Sequence, residues 1–137
     1  MTYALDTNIV IHYLRNRQEV RENFRNAITR KDNIVVPKIV HYEISRGFRI
    51  SHAPNKERTY QLFVGASNYC SLAEMDARSW ERAELVYTEL YRKGFTVGEL
   101  DILIAALCLE NNYVLVTDNA KDFQNINGLI IENWVMH

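Results

Sequence analysis

ELDILIAALCLENNYVLVTD, residues 99–118, decides the fold. Between Leu100 and Leu109 every residue is apolar except Asp101, so the segment reads as a helix buried on most of its surface rather than an amphipathic one. Asn111-Asn112 interrupts it, and the all-apolar Val114-Leu115-Val116 that follows has the pattern of a strand covered on both faces, as in the middle of a parallel sheet. A buried helix feeding a buried strand is one crossover of an α/β fold.

The same alternation extends in both directions. Upstream, Thr2–Asp6 reads as a short buried strand, and the polar DTN after it hands over to a helix at about Asn8–Leu14. Arg17–Arg30 carries Val20, Phe24 and Ile28 at four-residue spacing and reads as a second helix, followed by the strand Ile34-Val35-Val36. Pro37 suits the first turn of a further helix bearing Glu43, and another helix runs from the Ala53-Pro54-Asn55 break to about Gly65. Tyr69–Leu72 reads as a third strand. Asp76–Arg92 is an amphipathic cover helix ending at Lys93-Gly94, and Leu129-Ile130-Ile131 reads as a last strand. This order predicts an α/β domain with a parallel sheet and right-handed crossovers.

With 137 residues, 47% of them hydrophobic, the chain has length for one domain with a real core. Its apolar runs fall well short of the roughly 20 residues needed to span a bilayer, and no secretory leader opens it, so a soluble cytoplasmic protein is expected. Cys70 and Cys108 lie in apolar surroundings without metal spacing and read as buried free thiols. The net charge of −1 conceals an asymmetry: the balance is +5 through Arg58 and −6 from Thr59 onward. Basic residues of the first half beside acids of the second would suit an anionic polymer, whereas solvated helix faces would account for the same charges.

Four acids adjoin segments that should be buried: Asp6, Glu43, Asp101 and Asp118. An unpaired carboxylate is expensive there, and several brought together usually hold a cation. Oxygen donors without Cys or His at zinc spacing suit Mg²⁺ or Mn²⁺, which points to phosphate chemistry. Asp6 and Asp118 follow the ends of predicted strands, where open α/β sheets form their sites. Thr7, Asn8, Thr117 and Asn119 are short polar groups suited to orienting ligand carboxylates or water. Taken singly, Asp6 reads equally well as a helix cap, Glu43 as a solvent-facing position, and Asp101 as an acid favourable to a helix dipole.

The opening LDTNIVIHYL, the mid-chain YEISRG, the block DILIAALCLENNYVLVTDNAKDF and the closing GLIIENW together resemble the PIN domain family, and within it the VapC-type toxins of bacterial toxin–antitoxin pairs. The resemblance covers nearly the whole chain, giving one PIN domain over residues 1–137. It implies a five-stranded parallel sheet with helices on both faces, a metal-dependent ribonuclease activity, a homodimer, and a cognate antitoxin that inserts a peptide near the acidic pocket. Carried over by position, it assigns Asp6, Glu43 and Asp101 as the first three acids. For the fourth, Thr117 is followed by Asp118 and Asn119; Asp118 is preferred for its charge, with Asn119 acting through water and Asp122 as alternatives.

Other chemistries find less support. His12, His41 and His52 share no metal spacing and read as structural, and Ser45, Ser79 and the cysteines lack a matching His/Asp partner. Glu99 reads as a first-turn acid. Tyr42, Tyr60, Phe63, Trp80, Tyr87 and Tyr91 read as core or dimer contacts rather than base-stacking platforms, and Arg15, Arg46 and Arg49, near Asp6 and Glu43 in sequence, as the candidates for phosphate contacts. A free-standing RNA-processing nuclease and a non-catalytic protein-binding module are the competing functions. The lack of a glycine-rich phosphate loop argues against a nucleotide-binding domain.

Overall fold

The computed structural model describes residues 1–65 and 68–135. Its sheet has five parallel strands, β1 (Thr2–Leu5), β2 (Asn33–Pro37), β3 (Cys70–Ala73), β4 (Val114–Val116) and β5 (Ile131–Glu132), in the order β3-β2-β1-β4-β5. The helices are α1 (Thr7–Leu14), α2 (Gln18–Thr29), α3 (Lys38–Ser51), α4 (Pro54–Gly65), α5 (Ala77–Lys93) and α6 (Glu99–Asn111), with a 3₁₀ turn at Ala120–Asp122.

This order places the site. The chain steps outward from β1 through β2 to β3, then returns across the sheet to β4 on the other side of β1. Crossovers of one hand that step in opposite directions put their helices on opposite faces of the sheet. The switch between directions falls between β1 and β4, and in open α/β sheets the crevice for a ligand lies at the carboxyl ends of the strands that flank such a switch. Leu5 pairs with Val116 there, so the next residues, Asp6 and Thr117, stand abreast.

The expected buried elements are present. Ile102, Ile104, Ala105, Ala106, Leu107 and Cys108 of α6 are buried, as are all three residues of β4. α6 ends at Asn112, in the left-handed conformation at φ 57°, and α5 ends at Gly94 at φ 79°. Both cysteines are buried and free. Pro37 closes β2 and caps α3 rather than lying in its first turn, because it pairs in register with Ala73 of β3. The last strand forms later than expected: Ile131–Glu132 pair with Leu115–Val116, while Leu129 and Ile130 remain in the approach after Gly128, which turns at φ 82°. Among the described residues no helix is long and apolar enough to cross a membrane.

The tail beyond β5 completes the core. Trp134 is 1% exposed, its ring centroid lies 5.4 Å from that of Tyr3 on β1, and its indole N–H donates to Glu132 at 3.0 Å. Val135 is also buried. Truncating a fully buried indole costs about 3–5 kcal/mol. Trp134→Ala should therefore lower the melting temperature by roughly 10 °C or more, measured by thermal unfolding of the purified chain.

Candidate active site

Asp6 is the fixed point of the crevice. Its backbone N–H donates to the Val116 carbonyl at 2.9 Å, holding the end of β1 to β4. Its side chain, 9% exposed, caps α1 by accepting from the Thr7 backbone N–H at 2.8 Å. The other oxygen accepts from the hydroxyl of fully buried Thr117 at 2.9 Å. Burial nevertheless raises the carboxyl above its ordinary value, against these two hydrogen bonds, and the charges of Asp118 and Asp122 add to the rise.

Glu43 reaches the same end of the sheet from α3. The Thr7 hydroxyl donates to its Oε1 at 3.2 Å, so Thr7 joins two acids, one through its backbone and one through its side chain. Burial raises the Glu43 carboxyl; the Thr7 hydrogen bond and Arg46 oppose the shift, while Asp6 adds to it. Arg46 stacks over the Tyr42 ring at 5.0 Å.

Asp101 comes from the first turn of α6, which packs against α3. A glycine stands behind it: a side chain at Gly98 would begin 3.6 Å from its Oδ2. Its carboxyl is pushed up to about 6, by burial first and then by the charges of Asp6, Asp122 and Glu43. Four segments distant in sequence thus feel one another as like charges. Among the described residues, however, no three His, Cys, Asp or Glu side chains stand close enough to form a ready cage for a metal ion. The donor set still fits a hard divalent cation, since it is all oxygen and carries repulsion that such a cation would relieve.

The segment after β4 supplies two acids in different settings. Asp118, half-buried, has its Oδ2 3.0 Å from Nε2 of His12 on α1. Asp122 is exposed, accepts a hydrogen bond from the Asn119 side chain, and adds to the raised values of both Asp6 and Asp101. The Asn119 backbone N–H donates to the Thr117 hydroxyl at 3.0 Å. Of the four short polar residues, Thr7, Thr117 and Asn119 join this network; Asn8 is exposed and lies outside the hydrogen bonds that link the acids. Glu99 is a first-turn acid of α6, as expected.

In the sequence His12 reads as structural, and its contact with Asp118 leaves no local signal there. The partners are 106 positions apart, and only the return of β4 to the side of β1 brings them together. His41 has a structural contact: it is partly buried, its Nδ1 lies 2.8 Å from the hydroxyl of buried Tyr60, and burial lowers its pKa. Tyr60 is buried and Phe63 packs on Tyr13 and Phe24, whereas Tyr42, Trp80, Tyr87 and Tyr91 are exposed and form no part of the core.

A groove of about 450 Å³ runs from the site between α1, α3 and α4. Thr7 and Glu43 stand at its edge, Ile11, Leu14, Ile44 and Phe48 line it, and Arg15 and Lys56 add positive charge.

The PIN domain family model matches residues 3–129. Ribonuclease VapC2 of Rickettsia felis is 30% identical over 134 residues, covering 98% of both chains. The tRNA(fMet)-specific endonuclease VapC of Salmonella typhimurium is 30% identical over 135 residues, again with 98% of each chain covered. Among solved structures, VapBC2 of Rickettsia felis bound to a promoter DNA fragment contains a chain that superposes with a TM-score of 0.90 at 28% identity, covering 98% of this chain and 100% of that one. DNA-bound VapBC of Salmonella typhimurium gives 0.84 at 29% identity over 98% and 99%. Matched nearly end to end in sequence and in fold, with acids from four segments within electrostatic reach of one another near the β1/β4 switch, this chain belongs to the PIN domain family, among its VapC-type members.

Proposed function

We propose that this chain is a metal-dependent endoribonuclease, the toxin of a VapBC-type pair, with residues 1–137 acting as one PIN domain in the cytoplasm. The observation that carries the reading is the convergence of Asp6, Glu43, Asp101 and the segment after β4 on one end of the sheet. The curated relatives are named as ribonucleases, one of them specific for a tRNA, which supports RNA as the substrate class.

We assign Asp6, Glu43, Asp101 and Asp118 as the residues that hold Mg²⁺ or Mn²⁺. When bound, the cation supplies polarisation of the scissile phosphate and acidifies an attacking water. The chain's own residues supply the geometry. Thr7 and Thr117 each fix one oxygen of Asp6, so this carboxylate is held in one orientation. The Thr7 hydroxyl turns Glu43 toward it. Asn119 braces Thr117, and Asn8, exposed in the first turn of α1, is assigned to orienting water. Arg15 and Lys56 offer phosphate contacts along the groove.

The apolar lining of that groove suits a peptide of the cognate antitoxin, which would end beside Glu43 and block the acids. Homodimer formation has its own support in Trp80, Tyr87 and Tyr91, exposed aromatics of α5 at seven- and four-residue spacing that fall on one face of the helix.

Purified chain freed of antitoxin should cut total RNA into discrete fragments with Mg²⁺ or Mn²⁺ and not with EDTA. Asp6→Asn should reduce that cleavage by at least about 100-fold while leaving the fold intact. Folded wild-type chain that cleaves nothing with either metal would overturn the reading in favour of a binding module.

Stability should report the same site. A carboxyl raised by folding keeps its proton longer in the folded chain than in the unfolded one, so it costs stability as pH rises through its ordinary value and on to its folded value. For Asp101 that window runs from 3.8 to about 6. Thermal unfolding of the metal-free chain should therefore show Asp101→Asn gaining on wild type as pH rises across this window. The stabilisation given by Mg²⁺ or Mn²⁺ should be larger at about pH 7 than at about pH 5, and smaller in Asp101→Asn.

A further inference from the structure

We infer that His12 is a positioning residue for the metal site, acting through Asp118. The inference rests on the metal-dependent reading above. Asp118 is the second residue beyond β4, on a segment that turns at once into an exposed 3₁₀ turn, and among the described residues no hydrogen bond from that segment fixes its side chain. The hold comes from elsewhere. His12 Nε2 lies 3.0 Å from Oδ2 of Asp118, and a carboxylate can only accept, so Nε2 carries the proton and donates. Both side chains are mostly shielded, at 23% and 20% exposed, where a charge-assisted hydrogen bond orients more firmly than on an open surface.

The placement of His12 gives this contact its meaning. Asp6 caps α1, Thr7 in its first turn donates to Glu43, and His12 one and a half turns on donates to Asp118. One short helix thereby sets three of the four proposed ligands, and α1 is itself anchored by buried Ile9 and Val10. Asp118 occupies one oxygen with His12 and keeps the other, on a carboxylate near enough for its charge to bear on Asp6. The alternative acid, Asp122, is steadied by Asn119 from its own segment and owes nothing to α1. A histidine holding a ligand carboxylate belongs to the outer contacts of metal sites, whose loss typically weakens metal affinity 10- to 100-fold.

The test is Mn²⁺ binding by titration calorimetry on antitoxin-free protein, with the metal-free melting temperature of each variant recorded beside it. His12→Phe keeps the ring and removes the donor; His12→Gln keeps an N–H near the Nε2 position. His12→Phe should weaken Mn²⁺ binding by about 10-fold, and His12→Gln should recover most of that loss. In an Asp118→Asn background, His12→Phe should add little, because the residue through which it acts is already altered. Unchanged affinity in His12→Phe, an equal loss in His12→Gln, or an undiminished loss in the Asp118→Asn background would each overturn the inference. Folded wild-type chain that binds no Mn²⁺ would instead overturn the metal-site reading, and this inference with it.

Discussion

The hydrogen bond from the buried Thr117 hydroxyl to Asp6 is the contact on which the site depends. It spans the point where the sheet changes direction, between the end of β1 and the end of β4. A parallel sheet leaves its strand ends with unpaired polar backbone and no hairpin to close them. Here the gap is closed by a backbone bond from Asp6 to Val116 and by this side-chain bond beside it. Moving β4 by one residue would exchange Thr117 for Val116 or Asp118 opposite Asp6, and would swap the side chains that β4 packs against each of its two covered faces. Core packing and site assembly are therefore set by the same register.

That arrangement is held against an electrostatic cost. Asp6, Glu43 and Asp101 all have raised carboxyls, each with burial as the leading cause and neighbouring acids as a further one. Nothing in the packing requires acids at these places: α6 would be no less buried with a neutral residue in place of Asp101, and β1 could end in any helix cap. A cluster that destabilises the metal-free chain at neutral pH makes physical sense when a cation is its partner, because the repulsion becomes binding free energy once the positive charge arrives. The same repulsion would draw any cationic group, including a basic side chain of a bound peptide, to the mouth of the groove beside Glu43.

Much of this is legible in the sequence for a definite reason. Where a segment is buried on all sides, composition alone marks it, so α6, β4 and the acids at their ends can be read directly. Elements fixed by long-range pairing are less legible. β5 is two residues long and exists because Leu115 and Val116 pair with it, so its position at the end of the apolar run Leu129–Ile131 follows from register, not from propensity. Trp134 belongs to a recognisable motif, but its packing on Tyr3 at the opposite end of the chain carries no local signal. The His12–Asp118 contact is hidden for the same reason, and His12 looks like any histidine on a helix.

The exposed aromatics show where composition misleads. A helix with Trp80, Val86, Leu90 and Tyr91 among charges looks as though it has one apolar face, yet α5 has two. Ala83, Val86 and Leu90 face the interior, while Trp80, Tyr87 and Tyr91 face outward. The first set is what α5 uses to pack on α6. The second set adds nothing to the core and leaves large apolar rings in water, an arrangement that a monomeric domain gains nothing by keeping. A helix that must satisfy both its own core and an external surface carries apolar residues beyond the three or four per two turns that a cover helix needs. That excess, weighed against the charges between them, is the signal by which a second face can be recognised from the order of residues alone.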